Sequence, residues 1–155
     1  MGVKSKSRIR LCLVLLGLNL AFIWGNSLMT AEVSRAFSTF VQNVLAGLFP
    51  VTGPDESVDG HHLLRKLAHF SEFACLGILL SWLTRMLRQV KWELYVFPLC
   101  AGALVAAVDE TIQIFVPERG PHIFDVGIDT LGVATGIVLI SLYVCIKNKL
   151  WRKIK

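Results

Sequence analysis

Charge is scarce in this sequence. Asp, Glu, Lys and Arg make up 17% of its 155 residues, against about 25% in a soluble globular domain. Apolar residues reach 54% and the mean hydropathy is +0.61, which excludes an ordinary water-soluble domain and points to an integral membrane protein. Cysteine is also sparse. Cys12, Cys75, Cys100 and Cys145 stand alone with no C-x-x-C pair, which argues against a disulfide framework or thiol chemistry and leaves them as small apolar residues of membrane helices. No sustained repeat, low-complexity tract or linker is present, so residues 1–155 are read as one membrane domain. A nucleophile elbow and the usual zinc signatures are missing too.

What is present in quantity is long apolar sequence. A helix crosses a bilayer with about 20 residues, and four segments qualify: 9–29, 65–84, 94–116 and 126–146. The expected fold class is therefore all-α, with four transmembrane helices. The first segment follows Lys4, Lys6, Arg8 and Arg10, as a signal peptide would. Met29-Thr30-Ala31 before Glu32 is no A-x-A cleavage site, however, so the segment is read as a retained helix. Between the first two spans, Val33, Phe37, Phe40, Val41, Val44, Leu45 and Leu48 recur at helical spacing among polar residues. Residues 30–49 are therefore read as an amphipathic helix on the outer membrane surface, a fifth crossing being the competing reading. The turn-rich PVTGPDESVDGHH closes this outer connection, 30–62.

Basic residues in short loops stay on the cytoplasmic side. With the N-terminus inside, twelve of the sixteen Lys and Arg lie inside, and Arg35, Arg65, Lys66 and Arg119 remain outside or at outer helix ends. Both termini of this multi-pass cell-membrane protein are then cytoplasmic. The net charge of +5 is accounted for by clusters flanking spans, without nucleic acid as a partner. Membrane lipid is the partner the composition implies. The acids are equally lopsided. Of eleven Asp and Glu, only Glu93 falls on the cytoplasmic side, so polar chemistry gathers at the outer face.

That gathering is densest inside the helices. At about 100° per residue, Arg65, His69 and Glu72 fall within roughly a 60° arc of the second span, with Lys66 beyond His69. Ionisable groups in a membrane carry an insertion penalty of about 2.5 to 3.5 kcal/mol each, so they face the bundle and pair. The third span ends in AAVDETIQIFVPERG, where Asp109 and Gln113 share a face and Glu110 neighbours Gln113. Pro117 ends that helix, and Arg119, His122, Asp125 and Asp129 lead into the fourth. Arg65, Lys66, His69, Glu72, Asp109, Glu110, Gln113, Arg119, Asp125 and Asp129 are thus expected to wall a polar, outward-facing pocket built by helices two, three and four, with helix one as a scaffold. No metal or other cofactor is expected: His61, His62 and His122 read as solvated loop residues, and no helix spacing typical of zinc occurs. In the fourth span, Gly132 and Gly136 form a GxxxG that suits close packing within the bundle or self-association.

Three motifs in order carry a family resemblance: K-x-x-H-F-x-E-F-x-x-L-G from Lys66, D-E-x-x-Q-x-F-V-P-x-R from Asp109, and D-V-x-I-D-T-L-G from Asp125. The chain resembles the VanZ-like membrane proteins over about residues 63–137, departing at Phe73, where a Tyr is common, and at Glu118, where a Gly is common. The family's namesake is an accessory factor in glycopeptide resistance, associated with teicoplanin more than vancomycin. The resemblance therefore implies a bacterial envelope role and a lipid-linked wall precursor or a glycopeptide as partner, but no agreed reaction. The residues themselves leave several readings open. The pocket binds an anionic or zwitterionic envelope ligand; or Glu72 or Glu110 works with His69 as acid and base on a lipid-linked substrate; or the polar groups relay protons; or they form a buried ion-pair network that only fixes packing. The proton pathway is the weakest of these, because the cytoplasmic halves of the spans offer no ionisable continuation.

Overall fold

The computed structural model of the chain describes residues 3–30, 32–34, 36, 39, 40, 58–87, 90–117 and 123–154. Four helices make up the body: α1 (Val3–Ser27), α2 (Val58–Leu87), α3 (Glu93–Ile114) and α4 (Ile123–Ile154). Each contains a stretch long and apolar enough to cross a membrane, within Lys6–Ser27, Arg65–Leu87, Glu93–Ile114 and Ile123–Arg152. No strand occurs among the described residues. The protein is an all-α, multi-pass membrane protein. Of the connection expected to lie on the membrane surface, Glu32, Val33, Ser34, Ala36, Thr39 and Phe40 are helical. Thr30 is described and not helical, and the remainder of 31–49, including Val41, Val44, Leu45 and Leu48, lies outside the described residues, as do Arg119 and His122.

Three helices outrun the apolar runs that define them. α1 starts at Val3 rather than residue 9, α4 runs on to Ile154 through Lys147, Lys149 and Arg152, and α2 starts at Val58. The reason is cooperative: once a span is helical, each added residue needs propagation and no new nucleus. His61 and His62, expected in a loop, therefore sit in the opening turns of α2. α3 instead stops early, at Ile114. Phe115 N–H and Val116 N–H bond to the Ile112 and Gln113 carbonyls at 3.1 and 3.2 Å, a tightened last turn that Pro117 prevents from continuing. Hydroxyls within the spans are mostly satisfied by their own helix: Thr84, Thr111, Thr130, Thr135 and Ser141 each donate to the carbonyl four residues back.

Successive helices alternate in direction. Asn26 near the end of α1 meets Glu72 in the first half of α2, while Cys12 meets Leu79. α2 and α4 run parallel, and theirs is the tightest contact. A Cβ at Gly132 would lie 2.6 Å from the Phe70 carbonyl oxygen, one at Gly136 would collide with the Ala74 carbonyl, and one at Gly77 with the Val133 backbone. Lipid tails are as apolar as side chains, so no hydrophobic force drives helices together in a membrane; small residues let backbones approach until dispersion does so. The GxxxG face is used within the chain, against α2. Phe73, Leu76, Ala106, Val133, Ile137, Ile23, Leu16 and Cys12 fill the interior. At one end, Arg85 Nη2 bonds Ser141 Oγ at 2.6 Å and the guanidinium covers the Tyr95 ring, fastening α2 to α4 and α3. Leu13, Leu18, Phe22, Leu104, Leu139 and Leu142 point outward, more than half exposed for all but Leu139, which is at 50%: the lipid-facing surface of the bundle.

Candidate functional site

The end opposite Arg85 is where polar groups enter the interior. It comprises the last turn of α1, the first half of α2, the last two turns of α3 and the first two of α4. The topology alone brings these together, since two helices finish and two begin there. Asp109, Gln113 and Asp129 are 0%, 2% and 1% exposed, and Glu110 is 7% exposed. Burial this complete is tolerated only where partners replace water.

Gln113 is the hub on α3. Its Nε2 donates to Asp109 Oδ2 at 3.0 Å and to Glu110 Oε1 at 3.3 Å, respectively four and three residues back on its own helix, and approaches Ser27 Oγ at 3.4 Å. Ser27 Oγ donates to the same Asp109 Oδ2 at 2.7 Å. His69 Nδ1 on α2 lies 3.9 Å from that oxygen. One turn deeper, Asn26 Nδ2 donates to Glu72 Oε1 at 2.8 Å. Nearer the surface, Lys66 Nζ stands 3.4 Å from Asp125 Oδ1, with the lysine side chain 47% exposed and the aspartate 17%.

A small, partly open cavity with enclosed space for about one water molecule lies among these groups, lined by Arg65, Lys66, His69, Glu110, Gln113, Asp125, Ile128 and Asp129. Glu72 and Asp109 stand behind this lining. Its charge is graded: Arg65 and Lys66 lie at the mouth, and carboxyl groups lie at the floor. Such a floor is stable only with compensating positive charge, whether protons, a cation or the ammonium of a ligand. Among the described residues, one ligand atom each from His69, Asp109 and Asp129 lie within 4.8 Å of one another, close enough to be candidates for holding a metal ion.

Of the ten residues expected at the site, all but Arg119, which lies outside the described residues, converge here. Two corrections come from the interior. Helix one is more than a scaffold: at its end Asn26 donates a hydrogen bond to Glu72, and Ser27 joins Gln113 in donating to Asp109. Their signal in the sequence was a pair of polar residues closing an apolar run at the depth where the other helices turn polar. His69, Asp109 and Asp129 were expected in one pocket, but not with a ligand atom of each within 4.8 Å of the others. Spacing rules detect ligands on one helix, whereas these come from three; their shared depth was legible and their shared azimuth was not.

No curated protein and no solved structure matches this chain. Its residues 12–145, which take in the bulk of all four helices and every described polar group at this end, match the VanZ/LLP1 family, and the chain belongs to that family.

Proposed function

We propose that this VanZ-like membrane protein binds an anionic or zwitterionic ligand of the bacterial cell envelope in the cavity between α2, α3 and α4, and that it contributes in this way to tolerance of teicoplanin-type glycopeptides. The observation that carries the reading is the graded cavity, with a cationic mouth above an acidic floor inside an otherwise apolar bundle. Arg65 and Lys66 suit a phosphate or carboxylate. Glu110, Gln113 and Asp129 suit an amine or sugar hydroxyls. The distribution of Lys and Arg supports cytoplasmic termini and hence a cavity that opens outward, towards lipid-linked wall precursors and a membrane-anchored antibiotic alike.

A second reading draws on one contact. His69 beside a carboxylate oriented by Ser27 and Gln113 has the makings of an acid–base pair, which would act on a lipid-linked substrate. Susceptibility of bacteria producing the wild-type chain, with teicoplanin and vancomycin in parallel, tests the proposal against Glu72→Gln, Asp109→Asn and Glu110→Gln at equal membrane levels. Selective protection by wild type alone is the expected result. Equal protection by wild type and all three variants would reduce the cluster to a packing device, and absence of protection by wild type would remove the link to glycopeptides.

A further inference from the structure

The acidic floor contains more than hydrogen bonds explain. Asp109 is fully buried; its Oδ2 takes hydrogen bonds from Ser27 and Gln113, while its Oδ1 is buried with no hydrogen-bond partner among the described residues. Asp129, 1% exposed, has its Oδ2 buried and likewise without a hydrogen-bond partner among the described residues. An unsatisfied carboxylate oxygen in an apolar interior is among the least favourable groups a fold can hold, and here two occur beside one imidazole. Lys66 pairs with Asp125, nearer the surface.

We infer that His69, Asp109 and Asp129 bind one divalent transition-metal cation of the zinc or manganese type. One imidazole nitrogen with two carboxylates suits such ions better than it suits magnesium or calcium, which favour all-oxygen shells. A tetrahedral ion about 2.1 Å from each ligand sets the ligands about 3.4 Å apart. The three atoms lie within 4.8 Å, so side-chain adjustments of roughly an ångström complete the set. The supporting shell is in place: Ser27 and Gln113 hold one oxygen of Asp109, as the carboxylates of metal sites are commonly held. His69 and Asp129 line the cavity and Asp109 stands behind them, so the ion's open position faces the cavity. This inference rests on the cavity reading above and sharpens it: the group received there is an anionic oxygen, reached past Arg65 and Lys66.

The test uses the full chain, purified in detergent without chelators and with its affinity tag removed. Metal content is measured directly, and Co2+ is then titrated into the metal-stripped protein while its visible absorption is followed. The expected result is about one zinc or manganese ion retained per chain and a saturable Co2+ spectrum. His69→Gln and Asp129→Asn should each weaken Co2+ binding by at least about tenfold, with helical circular dichroism and metal-free melting unchanged. A folded wild type that neither retains a transition metal nor binds Co2+ overturns the inference, and so does Co2+ binding that neither variant weakens. Glycopeptide tolerance is scored separately. A metal-free chain that still protects cells overturns the ion and leaves the cavity, whereas a metal-loaded chain that protects nothing overturns the glycopeptide role and leaves the ion.

Discussion

Ser27, Asn26 and Lys66 divide stability from function at the level of single side chains. Ser27→Ala removes one of two donors to Asp109 Oδ2, and Asn26→Leu removes the donor to Glu72 Oε1. Interhelical hydrogen bonds in membranes average about 0.6 kcal/mol and reach about 1.7 kcal/mol, while leaving a buried acceptor bare adds a penalty of about 1 to 3 kcal/mol. Asn26→Leu should therefore destabilise by about 2 kcal/mol, and Ser27→Ala by about half that because Gln113 still serves the oxygen. Reversible unfolding in mixed micelles checks both values. Lys66 is different. The lysine side chain is 47% exposed and such partly exposed pairs contribute about 0 to 1 kcal/mol, so Lys66→Ala should cost at most about 1 kcal/mol. If the mouth receives an anion, the same substitution should abolish protection against teicoplanin at unchanged protein level; intact protection would remove Lys66 from the binding role.

For whole elements, the decisive contact is that of α2 with α4. Gly136→Leu would drive a side chain into the Ala74 carbonyl, a backbone atom that cannot swing aside. Overpacking of this kind destabilises by about 1 to 3 kcal/mol and occasionally more. Gly17→Ala on α1 is the counterpart, with nothing within 4 Å of the added Cβ. It should be neutral or stabilise by up to about 1 kcal/mol, because alanine favours the helix. Melting of the two purified variants in one detergent should separate them clearly, and equal melting would contradict the glycine contact. The elements also show what could be read without coordinates. Apolar length alone located all four helices, and Pro117 marked the end of α3. Their overhangs at Val58 and Ile154 were not legible: Gly60 and the turn residues before it read as loop, nothing in the sequence marks Ile154 as an end, and cooperativity carries a helix past the apolar run. Asp109 and Gln113 on one face followed from spacing. That His69 and Asp109 meet across helices did not, since rotation about each helix axis is set by packing: by Gly132 on Phe70 and Gly102 on Val133.

At the scale of the molecule, alternating direction places the end of α1, the cavity mouth and the start of α4 on one side of the membrane. The basic clusters predict that this side is outside. In a chain whose native cysteines are replaced, Thr30→Cys should react with a membrane-impermeant maleimide in intact cells, and Lys149→Cys only after permeabilisation. The reverse pattern would turn the cavity towards the cytoplasm and end the envelope reading.

The outward-pointing leucines of α1, α3 and α4 have a further consequence, for how this sequence can change over generations. Their neighbour is a liquid, which has no shape to be matched, so one apolar residue can replace another there at little penalty. Gly136, Ser27 and Asp129 answer to fixed atoms and have no such freedom. Mutational drift should therefore erase the lipid face first and the polar end last. A saturation library scored for folded protein should show tolerance alternating along each helix, and related chains should be recognisable by a small set of buried positions long after their overall identity has decayed.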